Sequence, residues 1–222
     1  MSSLELERVV LAAQEKRFRI IGLTSPCPRS GTTTIAQGLA RTFAMSGTRT
    51  LFADMSGSAA PMDIKPMWAP AIGGAGQAIE RDLDGFDRLR ARFDENGRMM
   101  FNNVALLRRT FGEDLAHYGA IIVDMPSLVK PHPGQVNAAA VAASCDGVYL
   151  VCVADVCTRS EIVQAAHVLK CVSTKLTGTI ANDISFPTLG AEVAREARRI
   201  YTLLPRVSSW IERKALASTF LN

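Results

Sequence analysis

Aromatic residues are scarce in this 222-residue chain, at 6%, and neither sign of charge dominates, since 25 basic against 21 acidic side chains leave only +4. So small a surplus implies neither a nucleic-acid groove nor a polybasic membrane patch, and no nucleic-acid partner is expected. The five cysteines (Cys27, Cys145, Cys152, Cys157, Cys171) are odd in number and form no CxxC pair. They indicate neither a disulfide framework nor a zinc site, and a reducing cytosol is the expected compartment. Long apolar runs are absent as well. The longest uncharged stretch, Pro131 to Cys145, is rich in Ala, Pro and Gly, and the N-terminal SSLELERVVLAAQEKR alternates acid and base, so neither a secretion signal nor a spanning helix is expected. His117, His132 and His167 are too dispersed to suggest a nucleophile with its base, and Ser127 lacks a Gly-x-Ser-x-Gly elbow.

What the chain does have is core. At 48% hydrophobic and 21% charged it can bury a full interior, which excludes a disordered tail, a collagen-like fibre and a disulfide-stapled miniature. The organisation expected is one domain over 1–222, with an N-terminal helix at 1–17, a core at 18–205 and a C-terminal helix at 206–222. RIIGLTS, TLFAD, AIIVD, GVYLVCVA and LTGTIAN read as strands. Helical spacing marks 4–16, the segment from Gly31 to a stop at Gly47, Ser160–Cys171, and two last helices near 189–201 and 207–220. Charged amphipathic segments fill 77–94 and 102–117, and 55–76 is a Gly/Ala/Pro-rich loop where mobility is expected. Continuous rather than alternating hydrophobicity in the later strands indicates burial on both faces. The expected class is therefore α/β: a doubly wound, mainly parallel sheet flanked by helices, P-loop NTPase-like.

A strand, a loop of small and kinked residues, and a helix opening at Gly31-Thr32-Thr33-Thr34 form the layout of a phosphate cradle, because free backbone N–H groups at a helix N-terminus attract anions. The usual fingerprint has Gly-Lys-Ser/Thr at that point. Here the lysine position is Thr32.

The stretch Ser25-Pro26-Cys27-Pro28-Arg29-Ser30-Gly31-Thr32-Thr33-Thr34 resembles the Walker A loop of the bacterial tyrosine kinases (BY-kinases), within the ParA/MinD-like P-loop class, which reads roughly Ser-x-x-Pro-Gly-Glu-Gly-Lys-Ser/Thr-Thr. Ser25, Pro28, Gly31, Thr33 and Thr34 match in register. LFAD, ending at Asp54, resembles the second motif of that family, and IIVDMP, carrying Asp124, the third. TGTIAND resembles the strand whose terminal Asn contacts the base in ParA/MinD-like proteins. The resemblance implies Pro28, Arg29, Ser30, Gly31, Thr32, Thr33, Thr34 and Asn182 around ATP. It also implies Asp54 and Asp124 near Mg²⁺, as the groups that would serve catalysis were the chain active.

Four positions depart from the family. Thr32 replaces the lysine, Ser56 the second motif's later Asp, Ser58 its Arg, and Arg29 a loop glycine. A positioned cation carries much of phosphoryl-transfer catalysis, and losing one costs about 3 kcal/mol or more, roughly a hundredfold in rate. A hydroxyl supplies no such charge, while Arg29 is an alternative cation attached three residues too early. Kinases of the family end in a tyrosine cluster; this chain ends KALASTFLN and has three tyrosines in all. Their ring-forming Glu-x-x-Arg-x-x-Arg helix is matched only by Glu5 and Arg8, with Leu11 in third place, so self-association stays open.

The resemblance thus implies a catalytically degenerate, BY-kinase-like accessory of exopolysaccharide or capsule biosynthesis and export. Such a protein would be cytoplasmic, held at the inner membrane by docking on a polysaccharide co-polymerase, with ATP and Mg²⁺ bound weakly or not at all. Two alternatives stand beside it: a weakly active ATPase or tyrosine kinase of the same pathway, and a ParA/MinD-type positioning ATPase. Trp68, between Pro66 and Pro70, reads either as a docking handle or as local packing, and Trp210, Ile211 and Phe220 as a core, dimer or membrane stripe.

Overall fold

The computed structural model describes residues 3–56, 68–70, 74–81, 85–91, 95–132, 134–153, 156–182 and 214. The chain divides into two compact units, Met1–Asn182 and Asp183–Asn222. Of the second unit only Lys214 is described, and it is helical. The Trp210, Ile211 and Phe220 stripe and the rest of the expected helices at 189–201 and 207–220 lie outside the described residues.

In chain order the first unit runs α1 (Ser3–Glu15), β1 (Ile20–Thr24), α2 (Thr32–Met45), β2 (Thr50–Asp54), β3 (Ile79–Arg81), β4 (Asp87–Arg90), α3 (Glu95–Met100), α4 (Val104–Arg109), β5 (Ala120–Asp124), α5 (Ala138–Ala142), β6 (Gly147–Val153), α6 (Arg159–Cys171) and β7 (Leu176–Asn182). The seven strands form one sheet in the order β3-β4-β2-β5-β1-β6-β7, parallel throughout except for β3 on β4. Each of the central strands sends consecutive side chains to opposite layers, because successive Cβ atoms on a strand alternate in direction. Ile20, Leu51, Ile121 and Val123 enter one layer with Leu107, Phe111 and Leu169, while Ile21, Phe52 and Ile122 enter the other with Ile35, Leu39 and Phe43. Both layers being apolar, the strands read as unbroken hydrophobic runs, and the doubly wound, mainly parallel architecture follows.

Helix α2 begins at Gly31, whose φ of +75° few residues other than glycine adopt readily, and ends before Gly47 at φ +81°. Its apolar stripe Ile35, Ala36, Leu39, Ala40 and Phe43 is buried on the sheet, and α1 lies against its outer side through Val10, Ala13 and Leu6. Leu4 and Leu11 remain exposed on α1.

Two expectations need correction, and one open alternative is decided. The segment 77–94 contributes strands β3 and β4 to the sheet edge. There Asp87-Arg88-Leu89-Arg90 has period two: Leu89 is buried, and the Arg88 guanidinium lies over the rings of Phe52 at 5.2 Å and Phe86 at 5.8 Å. Burial on both faces holds for β6, every residue of which is buried, but not for β7, an edge strand whose Leu176 is 39% exposed. Of the two readings of Trp68, local packing holds. The residue is 2% exposed and packs edge-on against Phe101 with ring centroids 5.6 Å apart. Most of the 55–76 loop around it lies outside the described residues.

Candidate functional site

Strands β1, β2 and β5 are adjacent and parallel, so their C-terminal tips open on one edge of the sheet, the position at which doubly wound folds bind ligands. The tips deliver the 25–31 loop from β1, Asp54 from β2 and Asp124 from β5. Asp54 and Asp124 are direct cross-strand partners, and the Met55 N–H donates to the Asp124 carbonyl at 2.8 Å.

The loop keeps its cradle shape through contacts on several sides. The Leu128 and Val129 N–H groups donate to the Ser25 and Pro26 carbonyls at 2.9 and 3.2 Å. Ser25 and Ser30 hydroxyls both donate to the Cys27 carbonyl at 2.8 Å. Arg29 has φ +64°, an uncommon conformation for a side chain of its size, and its residue is exposed. The Asn182 amide, at the tip of β7, donates to the Ser30 carbonyl at 2.9 Å. A Cβ on Gly31 would lie 2.3 Å from that same amide nitrogen, so a side chain there would have to displace Asn182 as well as adopt a positive φ. The start of α2 carries no side-chain cap, which leaves the dipole end and its amides to the crevice.

Side chains in the crevice bond largely to one another. Thr33 Oγ1 donates to Asp124 Oδ2 at 2.7 Å. Asp54 Oδ1 accepts from both the Ser56 N–H at 3.1 Å and the Ser56 hydroxyl at 2.7 Å. The residue standing where the resembled motif has a second carboxylate thus serves as a donor to the first. Asp124 is fully buried, and its Oδ1 has no hydrogen-bond partner. Burial pushes its carboxyl up to about 7, against the Thr33 hydrogen bond and with help from the neighbouring Asp54 charge.

A second group of side chains abuts the loop from the β6–α6 side. Cys27 Sγ and Cys157 Sγ are 2.7 Å apart as free thiols, with Ser30 Oγ 3.6 and 3.5 Å from them. Thr158 caps α6 through a reciprocal box with Glu161, whose carboxylate also pairs with Lys130 at 2.5 Å. Lys130 together with the Thr158 hydrogen bonds holds Glu161 at about 2, below the usual carboxylate range.

All the residues expected around a nucleotide therefore lie at or beside one crevice, with Thr32 buried, Thr34 exposed and Pro28 half-buried. Asn182 is close by, but its amide is committed to the loop backbone. Sequence reasoning missed Cys157, Lys130 and Glu161. The only local sign was Thr-x-x-Glu at 158–161, a capping box, since Cys157 is 130 residues from Cys27. Backbone amides and two carboxylates at strand tips fit a magnesium-bound phosphate in outline, and the unpartnered Asp124 Oδ1 suits a metal-bound water. At the lysine position of the resembled loop the described residue is Thr32, which supplies a hydroxyl and no cation.

This combination of sheet order, loop and strand-tip carboxylates defines a P-loop NTPase-like fold of the ParA/MinD layout. Among solved structures the chain is similar to the kinase domain of Escherichia coli tyrosine kinase ETK at 22% identity, covering 78% of this chain and 71% of that one with a TM-score of 0.64. It is similar also to the VpsO kinase domain at 18% identity (81% and 96% covered, TM-score 0.62). A third likeness is to the septum site-determining protein MinD of Pyrococcus horikoshii complexed with Mg-ADP, at 19% identity (74% and 70% covered, TM-score 0.55). No protein-family model matches the sequence, and no curated protein does. At such identities the shared property is the fold. No described helix is long and apolar enough to cross a membrane.

Proposed function

We propose that the chain is a catalytically degenerate, BY-kinase-like protein of exopolysaccharide or capsule biosynthesis and export. It acts by docking on the cytoplasmic face of a membrane polysaccharide co-polymerase and not by phosphorylating. The observation that carries this reading is Thr32: buried at the first turn of α2, it offers a hydroxyl where the transferred phosphoryl group needs a positive charge. The Asp54–Ser56 bonds support it, because a carboxylate satisfied by its own motif is less available to a metal.

Incubation with γ-labelled Mg-ATP tests the catalytic half of the proposal. Release or protein transfer of label at the blank rate is expected, and turnover on the scale of about 1 per second, ordinary for kinases, would overturn it. Cell fractionation with and without the co-polymerase gene tests the docking half. The chain is expected in the membrane fraction only when that partner is present, and partition independent of it contradicts the proposal.

A weakly active ATPase is the second reading. Thr33 bonded to a buried Asp124 favours it, since this is the pairing that the metal side of a nucleotide site would use.

A further inference from the structure

We propose that Cys27 and Cys157 form a redox modification site: a hydroperoxide converts the two thiols to a disulfide that pins the phosphate loop to the loop leading into α6. This goes beyond the functional reading above and stands without it, because it rests on the placement of two sulfurs and not on nucleotide chemistry. The fold brings together residues 130 positions apart, leaving Sγ atoms at 2.7 Å where each also neighbours Ser30 Oγ. Cys27 is inside the phosphate loop, two residues after Ser25 and four before Gly31, and is 5% exposed. Cys157 is half-buried and immediately precedes Thr158, the cap of α6. One thiol can thus meet a small oxidant from solvent while the other waits behind it.

The Cys157 sulfur, as thiolate, attacks one peroxide oxygen. An S–O bond forms, the O–O bond breaks, and the leaving oxygen takes up a proton as water or alcohol. The Cys27 sulfur then attacks the Cys157 sulfenic sulfur. The S–S bond forms, the S–O bond breaks, and the departing hydroxide takes the Cys27 proton as a second water. Two thiols lose two electrons and the peroxide gains them. Burial pushes the Cys27 thiol up to about 11, which suits its placement as the second, resolving sulfur over the first attacker.

The order matters for the loop. The Cys27 carbonyl already accepts from the Ser25 and Ser30 hydroxyls, so a covalent tie at its side chain adds a further restraint at the centre of the cradle. Cys171, exposed on α6 beside His167 at 3.6 Å, is the internal control for general thiol oxidation.

The test uses the full chain, reduced and then treated with equimolar hydrogen peroxide, with free thiols alkylated and the crosslinks mapped by mass spectrometry without reductant. Two thiols fewer, a Cys27–Cys157 link, recovery with dithiothreitol, and slowed amide exchange over residues 25–31 are expected. Cys157→Ser and Cys27→Ser should each abolish the link and the exchange effect, the first being at a half-exposed position where folding is not at stake. Retention of the Cys27 and Cys157 thiols while Cys171 is sulfenylated, or a link confined to other cysteines, would overturn the site. A Cys27–Cys157 link with unchanged exchange over the loop would overturn the pinning.

Discussion

The phosphate loop and the carboxylate pair meet at Thr33 in one crevice, yet they are built in opposite ways. The loop is made of backbone. Its shape depends on Gly31, on carbonyls engaged by Leu128, Val129 and Asn182, and on two serine hydroxyls, none of which involves the side chain at position 32. Thr32 therefore sits at the start of α2 without a part in that shape. The carboxylate pair is made of side chains, and neighbouring hydroxyls bond to both: Ser56 to Asp54 and Thr33 to Asp124. One half of the crevice is thus held by backbone and the other by side chains bonded to one another.

The most severe way to break the comparison is Gly31→Ala. Positive φ and the close Asn182 amide together should destabilise the fold by about 3 kcal/mol and detach Asn182 from the loop, read by urea denaturation. Asp124→Asn works in the opposite direction. A carboxyl raised from its ordinary value to about 7 weakens the folded state by up to about 4 kcal/mol at alkaline pH. Asparagine keeps the acceptor for Thr33 but buries an unpartnered amide, so a net gain of about 2 kcal/mol is expected at pH 8. The sign is fixed by proton uptake: between pH 4 and 7 the folded state binds more protons than the unfolded, so wild-type stability falls as pH rises through that window and the gain from asparagine vanishes below it.

Asn182→Ala removes one buried hydrogen bond to the cradle. A loss of about 1 kcal/mol is expected in thermal melts, with faster amide exchange at Ser30 and Gly31 than at the β1 strand itself. Glu161→Gln has the smallest effect. Glu161, held at about 2, contributes stability above the ordinary glutamate range that is lost as pH falls through about 2. The variant should therefore match wild type at the lowest pH and fall slightly below it at neutrality.

Much of this was legible in the sequence. The unbroken runs IIGLT, AIIVD and GVYLVCV identify strands because both faces of a parallel sheet are covered, and the Gly31-to-Gly47 frame identifies α2 because glycine alone suits both ends. Strands β3 and β4 were not legible: three and four residues long, they are held by an arginine stacked on rings from β2 and from Phe86, a contact that exists only once the sheet does. Trp68 left two readings open because its flanking prolines resemble a surface loop, while its burial depends on Phe101, far along the chain. Within the site, motif order located Gly31, Asp54 and Asp124, whereas the Cys27–Cys157 and Lys130–Glu161 pairs depend on strand β6 lying beside β1.

The most direct measurement is calorimetric titration of wild type and Thr32→Lys with Mg-ATP under identical conditions. If an intact cradle lacks only its cation, wild type should show no saturable heat at micromolar nucleotide and the variant should bind roughly a hundredfold tighter, the equivalent of about 3 kcal/mol. Micromolar saturation by the wild type, or no gain on adding the lysine, contradicts the account.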